Sequence, residues 1–134
     1  MGAVMIKSVA QAHNELYRSL NVMLSGDPSA VLAIWSVADD VSFAGPFGGF
    51  TTGREAVEKD FTAQAAMHLG GRLEVSDVHL VEADGMGYTV CTEHGINHVI
   101  DGKRVNLTHR ATNVFRRETD GWRLVHHHTD PSAG

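Results

Sequence analysis

Three Asp-Gly pairs, Asp84-Gly85, Asp101-Gly102 and Asp120-Gly121, punctuate the chain from Arg72 onward. Asp-Gly suits the tight turns whose central residues take positive φ, and such turns join antiparallel neighbours by the shortest route. Three in succession prescribe four consecutive antiparallel strands. Strands of about ten residues twist strongly and coil around what they cover. The residues before Arg72 must therefore supply the cover.

Those residues read as helices. Ser8 and Gln11 form a capping box, and Val9, His13, Leu16, Leu20 and Met23 follow at steps of four and three, the spacing of one buried helical face. Gly26 ends this helix. Asp27 and Pro28 start a short second one as N-cap and first helical position, with Val31, Leu32, Ile34 and Trp35 as its apolar side. Asp39 to Gly49 reads as a short strand breaking into a glycine-rich loop, with Phe47 as a lid residue. Thr52 and Glu55 form a second capping box, and a third helix runs to about His68 with Val57, Phe61, Ala65 and His68 inward. Gly70-Gly71 stops it. Three helices followed by a meander make an α+β chain whose sheet buries one face on the helices. A curved sheet closed by helices is a cone, hollow wherever its lining residues do not fill it.

Composition narrows the function classes. A length of 134 residues suits one domain over 1–134, and 43% apolar with 20% charged residues is globular. The net charge of −5 and the scattered basic residues speak against nucleic acid as a partner. No apolar run approaches the roughly 20 residues of a membrane span. Met1 to Lys7 is too short and poorly flanked for a signal peptide. The single cysteine, Cys91, excludes an intrachain disulfide, fits the cytoplasm, and reads as a packed strand residue.

Trp35, Asp39-Asp40-Val41, Gly45-Pro46-Phe47-Gly48-Gly49, Gly53-Arg54-Glu55-Ala56, then Arg110-x-Thr112-x-Val114-Phe115-Arg116-Arg117 and Gly121-Trp122-Arg123-Leu124-Val125-His126 together resemble the SnoaL-like proteins. These belong with nuclear transport factor 2, ketosteroid isomerase and the association domain of calcium/calmodulin-dependent kinase II. The resemblance implies a cone-shaped domain with a deep pocket between sheet and helices, dimerised through the outer sheet face. It leaves activity open, because this fold carries isomerases, cyclases, dehydratases, oligomerisation modules and transport adaptors. Ketosteroid isomerase places its catalytic aspartate before a proline on the first strand; Gly45 precedes Pro46 here, so that base is missing. Its first-helix tyrosine falls nearest Ser19 by spacing, with Tyr17 close. Its protonated aspartic acid matches Asn113, an amide that can still donate to an oxyanion.

The last strand ends in His126-His127-His128, and its parity decides which imidazoles face the cavity. One face carries Trp122, Leu124, His126, His128 and Asp130; the other carries Arg123, Val125, His127 and Thr129. Alignment to ketosteroid isomerase turns the first inward, and alignment to the kinase association domain turns the second. The second is preferred, with Trp122 and Leu124 left for a partner subunit. Arg110, Thr112 and Val114 then face inward on the neighbouring strand, and Tyr88, Val90, Thr92 and His94 on the one before.

On this reading the cavity is lined by Thr92, His94, Arg110, Thr112, His127 and Thr129 and walled by Trp35, Phe43, Phe47 and Phe61, with Tyr17 reaching in from the first helix. Mostly apolar walls with a few converging polar groups are the usual composition of a small-molecule site. Arg110 would clamp a ligand carboxylate or enolate, or else form a fixed salt bridge to Glu93, Asp39 or Asp40. His127 and His94 would exchange protons near neutral pH. No Cys or Glu completes a metal set around the histidines, and the glycine loop lacks the lysine of a phosphate cradle, so neither metal nor cofactor is expected. Two functions follow: acid–base chemistry of the isomerase, dehydratase or cyclase kind on a mainly apolar ligand with a carbonyl or carboxylate, or a non-catalytic dimerisation or ligand-sensing module.

Overall fold

The computed structural model describes residues 5–132. Three helices, α1 (Val9–Leu24), α2 (Ser29–Ile34) and α3 (Arg54–Ala66), accompany six strands: β1 (Ser42–Gly45), β2 (Gly48–Thr52), β3 (Arg72–Glu82), β4 (Met86–Ile100), β5 (Lys103–Glu118) and β6 (Gly121–Pro131). The strands form one unclosed sheet in the order β2-β1-β6-β5-β4-β3. The meander β3 to β6 is the antiparallel set expected from the Asp-Gly turns. Asp101 and Gly102 both take positive φ, 52° and 77°, as a primed turn requires. The last turn is centred one residue early, on Thr119-Asp120, because Glu118 pairs with Gly121.

The glycine-rich segment is not a loop. It is the β1–β2 hairpin, whose first strand runs parallel to β6 with Ser42, Phe43 and Ala44 opposite His126, His127 and His128. Thr52 belongs to β2 and caps nothing: α3 starts after Gly53 with no side-chain cap. His68 leaves the inner face, exposed and at φ 47°, and its ring lies where a Cβ on Gly26 would sit.

α1 forms as its pattern dictates. The Ser8 side chain accepts from Gln11 N–H at 3.0 Å, and Glu82 on β3 reaches across to accept from Val9 N–H at 2.7 Å. That satisfies two of the orphan donors of the first turn and fixes the helix to the sheet. Its buried stripe includes Val9, Ala12, Leu16, Leu20 and Met23. Arg54 donates to the carbonyls of Leu32, Trp35 and Ser36 at 3.0–3.3 Å, closing the C-terminal end of α2 and seating Trp35. Trp35, Phe43 and Phe61 then pack ring to ring, with centroids 4.6–6.3 Å apart. Burying such side chains contributes about 2–3 kcal/mol each. Among the described residues no helix is long and apolar enough to cross a membrane.

Three irregularities bend the meander. One extra residue enters β3 between Ser76 and His79, one enters β4 between Gly95 and His98, and one enters β6 at Val125. Asp77 and Asn97 sit at the first two with φ of 57° and 61°. Bulges of this kind kink a strand and raise its twist, which curls the sheet over α1 and α3.

Candidate active site

The inner face of the meander is laid out in rows. Thr89, Asn113 and His127 stand side by side on β4, β5 and β6; Cys91, Ala111 and Thr129 form the next row; Glu93 and His109 the one after. Gly87 and Gly95 sit on the same face of β4, beneath Val9 of α1 and the His98 ring, and Tyr17 descends from α1 onto Cys91 and Glu93 between them.

The bulge at Val125 produces this arrangement. An unbroken ladder from the Thr119-Asp120 turn would set Thr112 opposite His127; the extra residue sets Asn113 there. Parity therefore changes within β6, and Trp122 and Leu124 face inward together with His127 and Thr129. Both parity alternatives were half right, and Trp122 and Leu124 are core residues, 3% and 0% exposed. On β5 and β4 the expected face is reversed. Arg110, Thr112 and Val114, with Tyr88, Val90, Thr92 and His94, lie on the outer face of the sheet. Arg110 does not reach the cavity: it holds Asp130 through two bonds of 2.8 and 2.9 Å at the surface, and not Glu93, Asp39 or Asp40. His94 bonds the Ser76 hydroxyl at 2.8 Å. Asp40 accepts from Arg116.

A connected polar network runs under the helices. Tyr17 Oη donates to Glu93 Oε2 at 2.7 Å and receives Asn113 Nδ2 at 3.0 Å. Asn113 Nδ2 also reaches Thr89 Oγ1 at 3.2 Å, and Thr89 meets His13 Nδ1 at 2.9 Å. Asn113 Oδ1 accepts from His127 Nδ1. Phe43 stacks flat on the His127 ring, 5.8 Å between centroids and 7° between planes.

Beside this network lies a cavity of about 80 Å³. Leu20, Met23 and Leu24 of α1, Phe43, Phe61 and the partly exposed Phe47 form its apolar walls, and Glu93, His98, His109, His127 and Thr129 its polar points. Trp35 stands behind Phe43 and Phe61 and not on the wall itself. Burial pushes the Glu93 carboxyl up to about 7 against the opposing pull of the Tyr17 hydroxyl. Burial also pushes the Cys91 thiol up to about 11 and keeps the Tyr17 phenol protonated. The same burial, with His126 and His128 nearby, drives His127 down to about 3, so its imidazole is neutral. His127 is in place but holds no exchangeable charge near neutral pH. Glu93 does lie in that range, and from the sequence it was considered only as a partner for Arg110. Its signal was the run of small residues, Gly87, Thr89, Cys91 and Gly95, that shares its face of β4. His98 and His109 were also missed as lining residues. His98 Nδ1 donates to the Gly70 carbonyl at 2.8 Å, and its Nε2 edge lies against Gly95.

Residues 9–131 match the family model described as a SnoaL-like domain. The chain belongs to the SnoaL-like family. Among solved structures it is similar to a Thiobacillus denitrificans protein provisionally described as a calcium/calmodulin-dependent protein kinase type II association domain, at 25% identity and a TM-score of 0.82 over 97% of this chain and 99% of the other. It is also similar to a protein of Streptomyces avermitilis provisionally described as a dehydratase of the nuclear transport factor 2-like family, at 27% identity and a TM-score of 0.75 over 95% of each chain. A Caulobacter vibrioides protein with a cystatin-like fold, 18% identical over 92% of this chain and 89% of its own, shares the fold with a TM-score of 0.73. No curated protein sequence matches the chain.

Proposed function

We propose that this SnoaL-like protein performs acid–base chemistry on a small, mainly apolar molecule bearing a carbonyl, with Glu93 as the proton carrier. The observation that carries the reading is a carboxyl at about 7 on the wall of an apolar cavity, held by a tyrosine that stays protonated. A carrier works best when its pKa lies near the working pH, since both its forms are then available. As carboxylate, Glu93 removes the proton from the carbon next to the carbonyl, and the bonding electrons move to the carbonyl oxygen. As carboxylic acid it returns the proton to another carbon, giving an isomer, or to a departing hydroxyl, giving water and an alkene. Tyr17 holds the carboxyl in place and is itself held by Asn113. A carbonyl is favoured over a carboxylate because Arg110 lies outside, and among the described lining residues no Lys or Arg offsets a second negative charge.

Deuterium exchange tests this directly. Small cyclic ketones and hydroxyketones in deuterated buffer should lose the hydrogens next to the carbonyl faster with the protein present, along a pH profile with an inflection near 7. Glu93→Gln should lower that rate about 100-fold or more. Equal rates for the two proteins would dismiss Glu93 as the carrier.

The similarity to a protein described as a kinase association domain supports a second, compatible property, a homodimer through the outer sheet face. Tyr88 and Val90 lie there 38% and 39% exposed, beside Val114 and Thr112. A cytoplasmic location accords with the free thiol of buried Cys91.

A further inference from the structure

Two cavity residues, His127 and Thr129, carry polar atoms that the protein itself does not use. Thr129 is 4% exposed, and its Oγ1 has no hydrogen-bond partner among the described residues. Leaving a hydroxyl buried and unpaired costs about 1–3 kcal/mol, and well-packed proteins seldom accept it without a purpose. His127 stands two residues earlier on the same face. Its tautomer follows from the network. With Glu93 as carboxylate, Tyr17 Oη donates to it and accepts from Asn113, which places the Asn113 amide nitrogen toward Tyr17 and Thr89. Asn113 Oδ1 then faces His127 and can only accept, so His127 Nδ1 carries the ring proton. Nε2 is left as a bare acceptor on a residue that lines the cavity. Phe43, stacked on the ring, and Asn113, at its Nδ1, hold it in that orientation.

We propose that His127 Nε2 and Thr129 Oγ1 form a subsite for a ligand hydroxyl, which donates to the imidazole and pairs with the threonine hydroxyl. The inference rests on the proposed reading of the cavity as a ligand site and narrows its substrate class to small hydroxyl-bearing carbonyl compounds. Residues two apart on a strand project from the same face, so both side chains open onto the same wall of the cavity. A carbonyl or carboxylate oxygen does not fit against Nε2, because two lone pairs would meet there and His127 stays neutral. An ammonium would bring an unpaired charge among Phe43, Phe61 and Leu20. A neutral hydroxyl satisfies both atoms at once, donating to Nε2 and accepting from the threonine hydroxyl.

Cyclopentanol, cyclopentanone and cyclopentanecarboxylate share a ring and differ in the group presented. Their dissociation constants, from chemical-shift titration, are measured on the wild type, Thr129→Val and Glu93→Gln, with the His127 Nε2 nitrogen resonance followed in each. Thr129→Val keeps the shape and removes the orphan hydroxyl, so its fold should survive. The alcohol should bind the wild type about tenfold more tightly than the ketone or the carboxylate and shift the Nε2 resonance. Thr129→Val should lose most of that preference, and Glu93→Gln should keep it. Equal binding of alcohol and ketone, or an unchanged preference in Thr129→Val, overturns the subsite while leaving proton transfer by Glu93 standing. Binding of none of the three overturns the cavity reading and the subsite together. A preference that survives in Glu93→Gln when that variant exchanges deuterium as fast as the wild type supports the subsite and dismisses only the proton carrier.

Discussion

At the scale of single residues, Glu93 and His127 are two buried titratable groups pushed in opposite directions by the same cause. Glu93 rises from 4.5 to about 7 and His127 falls from 6.5 to about 3. Between pH 4.5 and 7 the folded chain holds the Glu93 proton and the unfolded chain does not, so this group makes stability fall as pH rises through that window. His127 binds its proton only in the unfolded chain between pH 6.5 and 3, so its contribution falls as pH drops. Over roughly pH 4.5 to 6.5 the two slopes oppose each other. Glu93→Gln removes one of them. The variant should be more stable than the wild type above pH 7, on the order of 3 kcal/mol by the size of the shift, and the gain should vanish by pH 4.5. Chemical denaturation at several pH values measures it; a difference that does not change with pH would mean that Glu93 titrates normally in the folded chain.

At the scale of elements, bulges decide what reaches the cavity. Asn97 takes φ 61° so that β4 absorbs an extra residue, and the next residue, His98, then turns inward against Gly95. Asparagine and glycine accept this left-handed conformation, whereas a β-branched side chain collides with its own carbonyl. Asn97→Gly should leave the melting temperature within a few degrees of wild type. Asn97→Val should cost about 1–2 kcal/mol or more and broaden the His98 ring resonances. Equal stability of the two variants would remove the bulge as the reason for that residue. The Val125 bulge shows why the outer and inner faces of β4 and β5 were interchanged in the sequence reading. The two sets do share one face as expected, and the structure sets Thr92 opposite Arg110 and Val90 opposite Thr112. One unanticipated residue in β6 reversed both strands against His127, since strand side chains alternate with period two.

At the scale of the whole molecule, one sheet serves two surfaces. The inner face carries small and polar residues under the helices, and the outer face carries Tyr88, Val90, Thr92, Thr112, Val114 and the His126–His128 pair, open to contact. If two copies pair through this face, Val90→Glu should shift sedimentation from dimer to monomer at micromolar concentration. The hydroxyl-binding cavity, on the opposite face, should keep its ligand affinity. A wild type that sediments as a monomer at all concentrations would remove the dimer.

The sequence by itself determined the α+β class, the four-strand meander and the helical cover, because hydrophobic spacing, capping residues and Asp-Gly turns act over a few neighbouring residues. It also placed Tyr17, Phe43, Phe47, His127 and Thr129 at the cavity or the polar network beside it, whereas Asn113, matched through the resemblance, was turned outward by the preferred parity. Tertiary structure alone decided that the glycine-rich segment becomes a hairpin beside β6, and that Arg110, Thr112, Thr92 and His94 face away. It also brought Glu93 beneath Tyr17. Each of these depends on strand parity or on contacts between residues distant in the chain. A bulge can be placed at many positions at little local cost, and only the packing of the finished sheet against α1 selects one.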